Sequence, residues 1–94
     1  MEYYLIVLGL YDTEITEVLQ KRMNGIGNTE NIFDNMYILS ADDDSISSSI
    51  IRDTIAGEER YYVLTINMRN NIDAAWCIPK TKVNFINDMI KSKN

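Results

Sequence analysis

Residues 3–8, Tyr-Tyr-Leu-Ile-Val-Leu, form an unbroken apolar run. At that length, and rich in strand formers, the run predicts a strand buried on both faces. Ile15, Val18, Leu19 and Met23 then recur at helical spacing and make one apolar stripe. Asp12 or Thr13 can cap that helix, Glu14 and Glu17 fall in its first turns and Lys21 and Arg22 in its last, as the helix dipole favours. Gly25 and Gly27 follow, and the reading expects them to end the helix through positive φ. Two extended segments, 29–33 and 36–41, flank Asp34-Asn35, a pair suited to a tight hairpin turn. Asp42-Asp43-Asp44-Ser45 introduces a second helix with Ile46, Ile50, Ile51 and Ile55 on its inner face and Gly57 at its close. Residues 60–67 are the second strongly β-prone run, and Asn70-Asn71 signals a turn. Residues 73–78 read as a short strand stopped by Pro79, and a third helix follows from Thr81, with Val83, Ile86 and Ile90 on one side and Phe85 and Met89 beside them.

The predicted order is β-α-β-β-α-β, then a short C-terminal strand and a final helix, all in a single domain over residues 1–94. The first six elements spell an α+β unit of the ferredoxin-like kind, an antiparallel sheet with two helices on one face. In such a sheet the first and fourth strands are central, and a half-solvated strand alternates apolar and polar residues. These do not: one register of the first strand is Tyr3, Leu5, Val7 and the other Tyr4, Ile6, Leu8, while the fourth carries Tyr61, Val63 and Tyr62, Leu64, Ile66. About 300–600 Å² of contiguous apolar surface is already large for a monomer, so something must cover the second face. The expectation favours a second copy, because two-fold homodimers are the commonest oligomers. The final helix folding across the sheet and a foreign protein are the alternatives. Tyr4, Ile6, Tyr62, Leu64, Ala75 and Trp76 are the candidate dimer interface.

Composition narrows the chemistry. The chain has no histidine and one cysteine, Cys77, among 94 residues. Histidine-based acid–base and nucleophile systems, Cys/His zinc sites and an intrachain disulfide are excluded, so a reducing, cytoplasmic setting is expected. The longest apolar stretch, residues 3–11, is well short of the ~20 residues of a membrane helix, so no membrane partner is expected. A net charge of −5 disfavours nucleic acid. The charge is uneven: residues 1–59 carry twelve acids against Lys21, Arg22 and Arg52, a balance of −9, and residues 60–94 carry six bases against Asp73 and Asp88, a balance of +4. Lys80, Lys82, Lys91 and Lys93 are therefore the candidate nucleic-acid contacts, set against their simpler use as a solvated helix face.

Several features invite a site and have a plainer use. Asp42–Asp44 lacks the spacing and distal Glu of a calcium loop. Ser47–Ser49 has no base nearby in sequence. Gly25-Ile26-Gly27 follows a helix where a phosphate loop would precede one. Tyr3-Tyr4, Tyr61-Tyr62 and Trp76 could stack bases on an open sheet face, but only Arg60 accompanies them, and burial is the better reading. Cys77 reads as a small core or interface hydrophobe. No cofactor is expected.

Phe33-Asp34-Asn35-Met36-Tyr37-Ile38-Leu39, the acidic segment Asp42–Asp44, Ile51-Arg52-Asp53-Thr54-Ile55, the apolar strand at 61–66 and Ala74-Ala75-Trp76 together resemble segments of a known group. It is that of the small SinR-like proteins and, more distantly, the CRISPR-associated small nuclease subunit of the spacer-acquisition complex. The resemblance spans residues 3–78. It implies a ferredoxin-like homodimer in a prokaryotic or phage setting, with the strand at 73–78 joining the partner's sheet edge. In nuclease members a Tyr-Asp pair ends the first strand, and one Asp from each protomer holds a divalent metal. Here Leu8-Gly9 stands at that place, and Tyr11-Asp12 comes three residues later. The resemblance thus implies a non-catalytic interaction protein with no metal site. The alternatives are a metal-dependent endonuclease using Asp12 from two protomers and a nucleic-acid-binding dimer.

Overall fold

β1 (Glu2–Leu8) is the strand around which the chain assembles in the computed structural model, which describes residues 1–43, 45–69 and 80–93. α1 (Thr13–Asn24), β2 (Asn28–Phe33), β3 (Met36–Ala41), α2 (Ser48–Ala56), β4 (Val63–Asn67) and α3 (Lys80–Lys93) follow. The four strands form one antiparallel sheet in the order β2-β3-β1-β4. Each β-α-β step therefore skips one position, so that β3 sits between β1 and β2, and β1 between β3 and β4. The architecture is a small α+β fold of one sheet and three helices. The expected short strand at 73–78 lies outside the described residues, as do Asp44 and the Asn70-Asn71 turn.

The two faces of β1 meet different helices. Tyr4, Ile6 and Leu8 point to one side, where Tyr37, Leu39 and Ala41 of β3 join Leu19 and Met23 of α1 and Ile51 and Ile55 of α2 in the main core. Tyr3 and Leu5 point to the other, where Ile32 of β2 and Ile38 of β3 are buried beneath Ile86 and Met89 of α3. Lys82 fixes the start of α3 over β2, its Nζ donating to Glu30 Oε1 at 2.8 Å. The second face is thus covered over β2, β3 and β1 by the chain's own last helix. This corrects the expectation that a second copy covers it, for three of the four strands. Both registers of β1 are apolar because helices lie on both sides of the sheet.

Local sequence explains most boundaries. Asp12 caps α1, its carboxylate accepting from Ile15 N at 2.9 Å. Gly25 ends α1 at φ −70°, without the expected left-handed conformation. Gly27 is needed for a different reason: a Cβ there would fall on the carbonyl oxygen of Ser40, against which the chain turns into β2. The hairpin turns through Asp34 at φ 46°, and Asn31 Nδ2 donates to the carbonyls of Asp34 and Met36 at 3.1 Å each. α2 begins later than the acidic run suggests, because Ser47 is its cap, its hydroxyl accepting from Ile50 N at 3.3 Å. Asp43 instead closes a preceding turn onto Ser45. Ile50, expected on the inner face, is half exposed, and Ile51 and Ile55 carry that face. Gly57 at φ 66° and Arg60 at φ 57° bring the chain out of α2 into β4.

Arg22, in the last turn of α1, locks the two helices together. Its guanidinium donates to Ile55 O at 3.0 Å, at the C-terminal end of α2, and makes a two-pronged ion pair with Glu59 at 3.0 and 3.1 Å. It also stands 5.8 Å from the Tyr61 ring centroid. A cation at exposed terminal carbonyls is favourable, and the planar guanidinium divides its donors, Nη1 serving the Ile55 carbonyl and Nη2 both Glu59 oxygens.

Candidate interaction surface

β4 is the edge strand on the far side of the sheet from β2, and α3 does not reach its outer residues. Leu64 is 54% exposed, Ile66 46% and Tyr62, just before the strand, 77%. Leu64 and Ile66 lie on the α3 side, since Leu64 stands opposite Val7 and Ile66 opposite Leu5, while the Tyr62 ring lies 6.4 Å from that of Tyr11. On the other side Val63 packs against the main core. The backbone of β4 is satisfied on one edge only. Gly9 N donates to Tyr62 O at 2.8 Å and Met68 N to Tyr3 O at 2.9 Å, so the even-numbered residues face β1. Val63, Thr65 and Asn67 turn their N–H and C=O groups outward, and among the described residues no strand pairs with them. The Thr65 hydroxyl and the Asn67 side-chain carbonyl are also buried without a hydrogen-bond partner.

Of the six candidate interface residues, two are displaced from any surface. Tyr4 and Ile6 are 0% exposed beneath α1 and α2, with the Tyr4 hydroxyl donating to Ile46 O at 3.1 Å. A residue sealed under the protomer's own helices is not available to a partner, so these two are withdrawn from the interface. Tyr62 and Leu64 remain on the surface, and Ile66 joins them. Ala75 and Trp76 lie outside the described residues.

The candidate charged groups do not converge. Asp12 is held as the α1 cap. Asp43 has its carboxyl below the usual range because Ser45 donates to it from both hydroxyl and backbone, an arrangement internal to one turn. Among the described residues no group of three or more His, Cys, Asp or Glu side chains could hold a metal ion. Lys82 is paired with Glu30, and Lys80 and Lys91 are exposed eleven positions apart on α3, about 16 Å along the axis. The side chain of Lys93 lies outside the described residues. Of the aromatics expected to stack bases, Tyr4 is in the main core, Tyr3 packs under α3 and Tyr61 meets Tyr11 edge-on at 5.2 Å; Tyr62 is exposed, and Trp76 lies outside the described residues.

A cleft of about 520 Å³ opens at the C-terminal end of β1, lined by Leu10, Tyr11, Thr16, Asp34, Asn35 and Tyr37 among others. Two of its polar groups are engaged within the fold: Asn35 Nδ2 donates to Leu8 O, and the Tyr37 hydroxyl accepts from Gln20 Nε2 at 2.7 Å. Asp34 is the one carboxylate among the lining residues. Comparison with protein-family models, with curated proteins and with solved structures finds no match for this chain. No described helix is long and apolar enough to cross a membrane.

Proposed function

We propose that this chain is a non-catalytic, ferredoxin-like interaction protein that acts as a homodimer, related in shape to the SinR-like and CRISPR-associated small-nuclease group and lacking that group's metal site. The observation that carries the reading is the outer side of β4: exposed Leu64 and Ile66, with exposed Tyr62 just before the strand, beside an edge that pairs with no strand among the described residues. A strand edge next to exposed apolar side chains is a site for another chain, and natural proteins otherwise blunt such edges. The strand order β2-β3-β1-β4 supports the ferredoxin-like assignment. The commitment of the Asp12 carboxylate to the α1 cap supports the non-catalytic one, because a capping carboxylate is already hydrogen-bonded to its own helix.

The test is a cleavage assay on single- and double-stranded RNA and DNA with Mg²⁺ or Mn²⁺, run beside light-scattering mass. The reading predicts a dimer that leaves every substrate intact. Cleavage by the wild type that Asp12→Ala abolishes would replace it with the endonuclease alternative.

A further inference from the structure

Building on that homodimer reading, we propose that β4 pairs antiparallel with β4 of a second copy, in the one register that sets Thr65 opposite the partner's Thr65. Two features of the strand select this arrangement. The first is backbone parity. Val63, Thr65 and Asn67 are the residues whose N–H and C=O groups face away from β1. A two-fold axis at Thr65 places Val63 opposite the partner's Asn67 and Asn67 opposite the partner's Val63. Every outward group of the strand then finds a partner, whereas sliding the register in either direction leaves an outward residue unmatched.

The second is what the same register does with the side chains. On the α3 side it sets Leu64 opposite the partner's Ile66 and Ile66 opposite the partner's Leu64, so the two exposed aliphatic residues of each copy cover one another. On the opposite side the two Thr65 residues stand face to face at the axis, while the Thr65 hydroxyl and the Asn67 side-chain carbonyl stay buried within their own protomers. Charge does not oppose the pairing at its ends, because Arg69 is already neutralised by Glu2 at 3.1 Å. The result is a continuous sheet running through both copies. A contact built on one five-residue strand is at the small end of specific interfaces, below about 1,200 Å² in total, so association is micromolar and concentration-dependent.

The register is read by charge swapping. Leu64→Lys and Ile66→Glu each place a charge against an aliphatic partner, and both positions are exposed in the protomer, so each variant keeps the wild-type far-ultraviolet dichroism. Each alone loses dimer affinity by at least about 100-fold. Mixed in equal amounts, the lysine of one meets the glutamate of the other while the remaining Leu–Ile pair is intact, and native mass spectrometry shows the mixed dimer. Single variants that still dimerise would overturn the edge pairing and leave the homodimer reading standing. Monomeric variants with no mixed dimer would overturn the register, as expected if residues 73–78 occupy this edge instead. A wild type that stays monomeric up to about 500 µM would overturn both readings.

Discussion

Ile86→Ala, with Met89→Ala as its companion, asks whether α3 holds the second face of the sheet. Ile86 is 8% exposed and Met89 4%, and both sit on Ile32 and Ile38. Truncating a buried Ile or Met to Ala removes transfer free energy and leaves a cavity, together about 2–5 kcal/mol. α3 is a single helix at the surface, with room to settle onto a smaller side chain, so the lower half of that range is expected, about 2–3 kcal/mol each. In a domain of this size 1 kcal/mol shifts Tm by about 4–8 °C, so each variant melts roughly 10–20 °C below wild type. Urea unfolding at fixed protein concentration gives the free energy directly, with the midpoint lowered and the slope unchanged. Ile50→Ala is the control: at 50% exposure it has half its surface in water already and costs under about 1 kcal/mol. If Ile86→Ala and Met89→Ala fall within about 0.5 kcal/mol of wild type, α3 does not pack on the sheet, and the face must be covered from outside.

Further outcomes follow from the same contacts. Arg22→Ala removes the bonds that join α1 to the C-terminal end of α2 and lowers stability by about 1–3 kcal/mol; Arg22→Lys recovers only part, because an ammonium cannot reproduce the planar division of donors. The Arg22 hydrogen bonds hold the Glu59 carboxyl below the ordinary glutamate value of 4.5, so its contribution is complete above that value and is lost as pH falls through the lowered folded one. The gap between wild type and Arg22→Ala in urea therefore narrows below pH 4.5 and is constant above pH 6 or so. Asp12→Ala loses the α1 cap and about 1 kcal/mol of stability by thermal melting, while Asp12→Asn keeps both. Gly27→Ala forces a methyl group onto the Ser40 carbonyl, and a loss of about 1–3 kcal/mol in urea is expected; a neutral result would mean the α1–β2 turn is free to move.

The pattern of residues made the α1 stripe, the hairpin and both apolar registers of β1 legible, because each depends on short-range spacing. It was silent on which register faces which helices. Tyr3-Leu5-Val7 and Tyr4-Ile6-Leu8 are equally apolar, and only the packing of Leu19, Met23, Ile51 and Ile55 sends the second set inward. For the same reason Tyr4 and Ile6 looked like interface residues. The amphipathic stripe of α3 was readable, but no local signal says that the chain returns to lay Ile86 and Met89 on Ile32 and Ile38. Arg22 read as a dipole-favoured cation on its own helix, whereas its partners are more than thirty residues away at Ile55 and Glu59. Gly27 read as a helix stop because a glycine after a helix usually is one; its contact with Ser40 belongs to a different strand. The β4 surface was legible in part: the doubly apolar pattern of the fourth strand put Tyr62 and Leu64 at an interface, but Ile66 is as apolar as a core residue, and its exposure follows only from the reach of α3.

Sedimentation equilibrium of the wild-type chain, from about 1 to 500 µM, puts the pairing of two copies to its most direct trial. The account predicts an average mass that climbs from 10.9 kDa towards twice that value as concentration rises. A mass of 10.9 kDa throughout would contradict it.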